Sequence, residues 1–441
     1  MTFNAALLEQ KLAPYHDAGC FWVAYSGGCD SHALLHALGS IRTKIPNEIK
    51  AVHINHGLSP FANEWERHCQ DICEHLSVPY HAISVNVRAD KTSPEEAARD
   101  ARYAALAKLI KQDDVLLLAH HQDDQAETVL LQLLRGSGVK GLAAMPEQQT
   151  FHLGKLCRPL LDFTREELLS YALEAGLNWI DDPSNFDTDF DRNFLRHEVI
   201  PLLQTRWPAL KKTLSRTAVH QAEADKLLTG LAQQDWLQIR NKEQLSVSAL
   251  LELDDKRQRN VLRYWLASVC QLTLPDTVHL QRIMEEVLTA AEDALPEVIW
   301  KGGEVRRYQG HLYAQKSLVT IDKNLELEWP DLSQALPLGN TGLCLTAKAI
   351  EGKGLSQTKL GNRKVTVQYR QGGESCRPFG RGHTHPLKKL FQEWQIPPWL
   401  RNTVPLVFVD GELAAVVGYT TCQSFTATEG EPGWLIEQVN L

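Results

Sequence analysis

The stretch FWVAYSGGCDSHALLHAL (residues 21–38) constrains the fold more than any other, because a buried strand gives way to an amphipathic helix within a few residues. Residues 21–25 form an unbroken apolar run, which is typical of a strand covered on both faces. Similar short apolar runs follow at 50–55, 80–85 and 115–119, with helical patterns between them. This alternation predicts an α/β fold with a doubly wound, Rossmann-like parallel sheet, in which ligands bind at the carboxyl ends of the strands.

A chain of 441 residues is too long for one ordinary core, and its pattern changes along its length. We predict an α/β domain over 1–215 and a mainly helical middle domain over 216–318, with a β-hairpin at 300–315. A polar stretch at 319–360 has the composition of a connector. The last segment, 355–441, contains a basic helix and a hairpin that turns at an Asp-Gly pair, which predicts a small α/β domain.

The turn after the first strand reads Ser-Gly-Gly-Cys-Asp-Ser and has the parts of a phosphate cradle. Gly27 and Gly28 lack Cβ atoms, so successive backbone N–H groups can converge on one anion. The helix that follows adds unsatisfied N–H donors and the positive end of its dipole. Ser26 and Ser31 contribute hydroxyl groups, and Asp30 can hold the Mg²⁺ that accompanies a nucleotide triphosphate. The alternative is an ordinary glycine turn between a strand and a helix.

A second polar group lies in AHHQDDQAETVLLQLLRGSGVKGLAAMP (119–146), where the fourth predicted strand leads into a helix. Asp123 and Glu127 lie one helical turn apart, as do Asp124 and Thr128, so their side chains can reach one pocket. The residue types leave three interpretations open: a zinc or di-metal hydrolase site, a site for a nucleotide and an amine, or acidic residues that only stabilise a helix start.

Composition and charge limit which cellular compartment and which partners are expected. The nine cysteines form no C-x-x-C pair, and no window approaches the roughly 18 apolar residues of a spanning helix. We see no signal peptide and expect a cytoplasmic protein with reduced thiols and no membrane partner. The net charge of −8 argues mildly against nucleic acid, yet 353–401 contains ten Lys/Arg and only two Glu. Such a local excess can bind a polyanion whatever the charge of the whole chain.

Residues 26–31 match in full the S-G-G-x-D-S loop of the ATP pyrophosphatases, also called PP-loop enzymes. Further segments resemble the tRNA(Ile)-lysidine synthase family; they lie at 52–60, 94–106, 119–146, 158–168, 181–203 and 372–406. The resemblance implies that ATP adenylates the wobble cytidine of the isoleucine tRNA with anticodon CAU. Free L-lysine then attacks through its side-chain amine, and the products are lysidine, AMP and diphosphate.

The loop chemistry, the resemblance and the local excess of basic residues together predict roles for individual residues, and the roles fall into three sets. The ATP-binding set is Ser26, Gly27, Gly28, Cys29, Asp30, Ser31, His53 and Asn55, with Asp30 also the Mg²⁺ ligand. The catalytic set is Asp30, Asp123, Asp124 and Glu127, acidic groups suited to hold a lysine ammonium and Mg²⁺. The tRNA-binding set is Arg192, Arg196, Arg377, Arg381, Lys388 and Lys389. The domain over 1–215 would then be catalytic and the two later domains would bind tRNA, and a homodimer is one expected assembly.

One departure and one alternative accompany this resemblance. The second motif of the family usually ends Leu-Arg, whereas Ser59 follows Leu58 here, so a basic contact at that position is in doubt. The alternative is a PP-loop tRNA sulfurtransferase, whose chemistry needs a persulfide-carrying cysteine pair or an iron–sulfur cluster. Cys69 and Cys73, four residues apart on one predicted helix, are a poor match for either.

Overall fold

The predicted parallel sheet is present in the computed structural model, which describes residues 2–57, 59–85, 94–291, 294–317, 322 and 324–440. The chain divides into two units between residues 231 and 232. The sheet of the first unit has the strand order β3-β2-β1-β4-β6-β5. Its strands are β1 Cys20–Ala24, β2 Glu48–Asn55, β3 Tyr80–Ser84, β4 Val115–Leu117, β5 Gln148–Phe151 and β6 Gly154–Cys157. The fold class is therefore the predicted one.

Successive side chains of β1 enter opposite cores, as the continuous apolar run predicts. Phe21 and Val23 pack in one buried cluster, whereas Cys20 and Trp22 pack in another on the other face of the sheet. Because both faces are covered, functional groups can gather only at the ends of the strands.

Two strands of this sheet were not predicted from the sequence. β6 runs parallel to β4, and β5 runs antiparallel to β6 at the edge. The helices of the first unit are α1 Ala5–Leu12, α2 Cys29–Ser40, α3 Ala62–His75, α4 Pro94–Leu109, α5 Gln122–Leu134, α6 Val139–Leu142, α7 Arg165–Glu174, α8 Asp191–Phe194, α9 Ile200–Arg206 and the start of α10, Leu210–Ile239. A 30-residue helix such as α10 is about 45 Å long.

The first part of the second unit combines helices with a sheet. Its helices are α11 Val247–Leu251, α12 Asp255–Tyr264 and α13 Thr277–Arg282. The strands β7 Arg240–Asn241, β8 Gln244–Ser246, β9 Glu297–Trp300, β10 Gly303–Tyr308 and β11 His311–Gln315 form a sheet in the order β7-β8-β11-β10-β9. The predicted hairpin at 300–315 is therefore part of an antiparallel sheet of five strands.

The rest of the second unit contains two larger sheets and two short helices. One sheet has the order β12-β16-β19-β20-β21, the other β13-β14-β22-β15, and β17 pairs with β18. The strands are β12 Glu326–Glu328, β13 Leu336–Pro337, β14 Leu343–Glu351, β15 Leu355–Ser356, β16 Val365–Tyr369, β17 Ser375–Cys376, β18 His385–Pro386, β19 Pro405–Val409, β20 Glu412–Val416, β21 Thr420–Thr421 and β22 Pro432–Asn440. The helices are α14 Gln357–Leu360 and α15 Leu387–Glu393.

The connector predicted at 319–360 is wrong in its second half. β14 pairs with β22 over nine residues, from Leu343 opposite Asn440 to Glu351 opposite Pro432. The hairpin of β19 and β20 is as predicted, since Asp410 and Gly411 both have positive φ, 50° and 82°, as its tight turn requires. The domain ranges 1–215, 216–318 and 355–441 stay predictions. Among the described helices, none has the length and apolar character needed to cross a membrane.

Candidate functional site

The phosphate loop lies between β1 and α2 and is organised by two serine hydroxyls. Ser31 Oγ accepts the N–H of Ser26 at 3.2 Å and lies 3.0 Å from Ser26 Oγ. It also donates to the carbonyl of Gly28 at 3.0 Å, and Gly28 N donates to Ser26 Oγ at 3.3 Å. Gly28 is the N-cap of α2, and none of the described side chains caps this helix start. The backbone N–H groups of the first turn of α2 therefore face the loop without a competing side chain.

The conformation and packing of Gly27 explain why this loop position has no side chain. Its φ is +86°, in the left-handed region, and its carbonyl accepts the N–H of Ile180 at 2.9 Å. A Cβ at this position would lie 2.7 Å from Ile180 Cδ1 and 2.9 Å from Cys69 Sγ. Both the backbone conformation and the packing therefore require glycine here.

Asp30 is placed to bind a cation at the start of α2. Its Oδ1 atom is buried and has no hydrogen-bond partner among the described residues. Its other oxygen lies 3.4 Å from Nε2 of His121. A buried carboxylate oxygen without a partner is costly unless a ligand satisfies it, so the residue fits a Mg²⁺ ligand. In the described ranges, no group of three or more His, Cys, Asp or Glu side chains forms a ready-made metal site.

His53 and Asn55, at the end of β2, are hydrogen-bonded within the protein. His53 Nδ1 lies 3.0 Å from the carbonyl of Tyr25, and burial lowers the pKa of His53. Asn55 Nδ2 donates to Glu66 Oε2 at 2.8 Å, and Asn55 Oδ1 accepts the N–H of Gly57 at 2.9 Å. These contacts fix the strand end beside the phosphate loop, and the predicted ATP contacts stay a prediction.

His121 connects Asp30 to the acidic residues of α5. Its Nδ1 accepts the N–H of Asp124 at 3.4 Å, and Asp124 Oδ2 accepts the N–H of His121 at 3.0 Å, so the two residues cap the helix reciprocally. Burial opposes a charged imidazole, but the carboxylates of Asp124 and Asp30 outweigh it and raise the pKa of His121. Since Nδ1 accepts a hydrogen bond, the neutral ring carries its proton on Nε2, which lies 3.4 Å from each of these carboxylates.

Glu127 and Asp124 form a buried network with two arginines. Arg192 Nε donates to Glu127 Oε2 at 2.7 Å, and Arg196 Nε donates to Oε1 at 2.6 Å. Both guanidinium groups also reach Asp124 Oδ1, each at 3.3 Å. Burial opposes the charge of Asp124, but His121 and Arg192 outweigh it and lower the pKa of that carboxyl. The structure thus brings four predicted site residues together, with the arginines paired to the acids.

Asp123 faces a different partner. Its Oδ1 forms an ion pair with Lys211 at the start of α10, and its Oδ2 accepts the N–H of Arg165 at 3.0 Å. Each of the three carboxylates of α5 therefore has an internal cation, although the three were predicted to hold the ammonium of a free lysine. An arriving amine has to share or displace one of these cations.

Comparison with known proteins identifies the family. Residues 3–203 match the PP-loop domain, 245–313 match the TilS substrate binding domain and 365–438 match the TilS substrate C-terminal domain. The tRNA(Ile)-lysidine synthase of Coxiella burnetii is 45% identical over 95% of this chain and 92% of its own length. The chain belongs to the tRNA(Ile)-lysidine synthase family. The corresponding synthase of Legionella pneumophila (strain Paris) is 41% identical over 94% of each chain. The predicted family, and with it the predicted enzyme class, is confirmed.

A U34-tRNA thiolase from Methanococcus maripaludis is also similar in structure. It has 18% sequence identity and a TM-score of 0.43, and the match covers 50% of this chain and 77% of that chain. At this level the likeness carries no argument about activity. In this lysidine synthase family member, Cys69 and Cys73 are fully buried, and burial raises the pKa of each thiol to about 12.

The basic residues of the C-terminal segment lie in the second unit. Arg377 Nε donates to the carbonyl of Arg381, and Arg381 Nη1 donates to Glu393 Oε2 at 2.6 Å. Lys388 and Lys389 are exposed on α15, whose other face is buried through Leu387, Leu390 and Phe391. The helix therefore presents two lysines to solvent from a fixed position.

Two functional candidates were missed from the sequence, His121 and Lys211. The His-His pair before α5 was a signal for His121, because it adjoins the acidic residues. Lys211 gave no local signal, since its partner Asp123 lies 88 residues earlier. Ser59, at the position where an arginine was expected from the resemblance, accepts the N–H of Phe61 through its hydroxyl at 3.2 Å and precedes the start of α3.

Proposed function

We propose that this protein ligates L-lysine to the wobble cytidine of the isoleucine tRNA with anticodon CAU. ATP adenylates the carbonyl oxygen of the cytosine and diphosphate leaves; the side-chain amine of lysine then displaces AMP and lysidine is formed. The observation that carries the proposal is the 45% identity to a tRNA(Ile)-lysidine synthase over 95% of the chain. The site supports it because the phosphate loop, through Asp30, and the acidic cluster, through Asp124, both lie 3.4 Å from Nε2 of one histidine, His121.

ATP use follows from the family, and the loop residues supply its binding. Gly27 and Gly28 let the backbone wrap around the phosphates, and the hydroxyls of Ser26 and Ser31 hold the loop in that shape. The orphan oxygen of Asp30 would hold Mg²⁺, which would supply positive charge to the phosphate oxygens. Cys29 fills the variable position of the loop and needs no catalytic role; burial raises the pKa of its thiol to about 12.

The acidic residues of α5 would receive the amine of lysine. Asp123 carries an ion pair with a protein lysine, so its environment already accepts an ammonium. Asp124 and Glu127 are paired with Arg192 and Arg196, which we propose to be positioning residues that orient these carboxylates. A nucleophilic amine must lose a proton, and a neighbouring carboxylate or a phosphate would accept it. The proposed contact of Arg192 and Arg196 with tRNA would require the guanidinium groups to serve both partners.

The tRNA would extend beyond the reacting base to the second unit. Arg377, Arg381, Lys388 and Lys389 would contact its phosphate backbone, because a local positive surface binds polyanions without reading sequence. A cytoplasmic location suits a tRNA substrate. A homodimer is a separate proposal, which sedimentation of the purified protein would test.

The direct test is to incubate the protein with ATP, Mg²⁺, radiolabelled lysine and unmodified tRNA transcripts. We expect label in the isoleucine tRNA with anticodon CAU, together with one AMP released for each lysine joined. The matched control is the same tRNA with uridine in place of the wobble cytidine, which should take no label. A methionine tRNA with the same anticodon tests discrimination outside the anticodon. Absence of label from all transcripts, with active ATP hydrolysis to AMP, would contradict the proposed reaction.

A further inference from the structure

Arg158, directly after β6, is a buried guanidinium group without an acidic partner. Only 4% of the residue is exposed, and none of the ion pairs within the described ranges includes it. Its Nη1 donates to the carbonyl of Pro146 at 2.7 Å, while its Nε is buried and has no hydrogen-bond partner among the described residues. Burial lowers the pKa of Arg158. A charge in this position is costly unless an anion compensates for it.

A cavity gives that anion room. Arg158 lines a cavity of about 380 Å³ together with Arg99, Tyr103, Met145 and Gln149. The exposed carboxylate of Asp100 lines the same cavity, but the described contacts include no ion pair between it and Arg158. The volume is in the range of small-molecule pockets, and the positive charges of Arg99 and Arg158 face one space.

The cavity adjoins α5 through Met145, which lines it and whose N–H donates at 3.0 Å to Oε1 of Gln125, the residue after Asp124. Burial lowers the pKa of His120 to about 3, with the charge of Arg158 lowering it further and the Asp124 carboxylate opposing this. Nδ1 of His120 is also buried without a hydrogen-bond partner among the described residues. The acidic residues of α5 and the guanidinium of Arg158 are therefore joined by the short contact between Met145 and Gln125, the acids suited to a cation and the guanidinium to an anion.

We propose that Arg158 forms an oxyanion subsite in this cavity and that its ligand is the α-carboxylate of the lysine substrate. The inference rests on the proposed function, which supplies a ligand with an ammonium at one end and a carboxylate at the other. A planar guanidinium matches a carboxylate, and a volume of about 380 Å³ suits an amino acid better than a phosphodiester chain. Arg158 would then select lysine over amines that have no carboxylate.

The test compares lysine with pentane-1,5-diamine, which keeps both amines and lacks the carboxylate, on the isoleucine tRNA. In the wild type we expect lysine to be used far better than the diamine. Arg158→Gln should lower kcat/KM for lysine about 10- to 150-fold, the effect of losing a charged hydrogen bond, and change kcat/KM for the diamine less than about threefold. The matched control is Arg42→Gln, because Arg42 also donates to a backbone carbonyl, that of Leu76 at 2.8 Å. This control should leave the lysine-to-diamine ratio unchanged.

Each other outcome overturns the assignment. An Arg158→Gln enzyme with an unchanged lysine-to-diamine ratio would show that Arg158 only braces the Pro146 turn. A weaker tRNA affinity with a lower salt dependence and an unchanged ratio would assign the subsite to a phosphate of the RNA instead. If Arg158→Gln does not fold, Arg158→Lys takes its place in the same comparison of lysine with the diamine. A wild type that uses the diamine as well as lysine also contradicts the proposal. Failure of the wild type to join lysine at all would instead refute the proposed function.

Discussion

The backbone N–H of Ile180 donates to the carbonyl of Gly27 at 2.9 Å, so a segment more than 150 residues downstream closes the phosphate loop. The side chain of Ile180 packs against the loop as well, and a Cβ on Gly27 would overlap it. The shape of the loop is therefore set by tertiary packing in addition to its own glycines.

Gly27→Ala should destabilise the first unit and weaken ATP binding, whereas Gly39→Ala should not. An alanine at position 27 combines a positive φ with a 2.7 Å contact, for which we expect a loss of about 1–3 kcal/mol in the free energy of unfolding. Gly39 lies in α2, and a Cβ there meets nothing within 4 Å. Alanine at this position should therefore raise the free energy of unfolding by up to about 1 kcal/mol. Urea unfolding measures both; equal effects at the two positions would refute this account.

Asp30→Ala should abolish adenylation of the tRNA while leaving the fold intact. Asp30 belongs to none of the described apolar clusters, and its buried Oδ1 makes no hydrogen bond within the described protein, so the contact of its Oδ2 with His121 is the main one lost. Release of diphosphate from ATP in the presence of tRNA measures the first step, and thermal unfolding measures the fold. Glu74→Ala, which removes a surface carboxylate bonded to Gln70, is the matched control. Activity within a few-fold of wild type in Asp30→Ala would remove it from the site.

Asp124→Asn should impair the use of lysine far more than the binding of ATP. A charge-assisted hydrogen bond to the ammonium contributes roughly 1.5–3 kcal/mol, so kcat/KM for lysine should fall about 10- to 150-fold. The KM for ATP should change little, because the phosphate loop keeps all its contacts. Asp191→Asn, an exposed carboxylate 3.7 Å from Arg135, serves as control. Unchanged lysine kinetics would assign the amine to Asp123 or Glu127 instead.

His32 should make the first unit less stable in mild acid. Burial lowers the pKa of His32 to about 4, so the folded ring stays neutral while the unfolded ring, with a pKa near 6.5, takes up a proton. Stability is therefore full above pH 6.5 and falls toward pH 4, by up to about 3 kcal/mol. In His32→Asn, urea unfolding should show a smaller fall over this range than in the wild type. His383→Gln, at an exposed position, should follow the wild type; identical profiles for all three would contradict the assignment to His32.

Replacing both Lys388 and Lys389 by alanine should weaken tRNA affinity. The slope of the logarithm of that affinity against the logarithm of the salt concentration should become less steep by up to about 1–2. Both lysines are exposed on α15, and their loss removes two cations from the proposed RNA surface. ATP affinity should not change, since the phosphate loop lies in the other unit. Lys348→Ala with Lys364→Ala removes the same charge from the same part of the chain, where these lysines already pair with Glu437 and Glu328. An equal effect of the two double variants would show a general charge effect rather than a tRNA contact.

Local pattern made the phosphate loop and its strand predictable. Alternate side chains of β1 pack on opposite faces of the sheet. The apolar run at 21–25 predicts this from the local sequence alone. The strand–glycine–helix sequence then fixes where the loop lies. The acidic residues of α5 were found for the same reason, because their spacing on one helix is a local property.

What the sequence did not reveal depends on partners far along the chain. Arg192 meets α5 only after the chain has passed through α6 and α7, and Lys211 only after α6 to α9, so no spacing rule connects them with Glu127 and Asp123. The edge strand β5 is short and polar, and lacks the apolar run on which the other strands were recognised. β14 carried a usable signal, an alternation at Leu343, Leu345 and Ala347, that the surrounding polar residues obscured.

The pairing of β14 with β22 has a consequence for the order in which this molecule can be made. Residue 343 finds its partner only when residue 440 exists, so the sheet cannot close while the intervening 96 residues are still being synthesised. Until then β14 presents an unpaired edge that can pair with another chain. The first unit has no such dependence and can fold as soon as its own residues emerge. A nascent chain would therefore have a finished phosphate loop before it has a closed sheet in its last part.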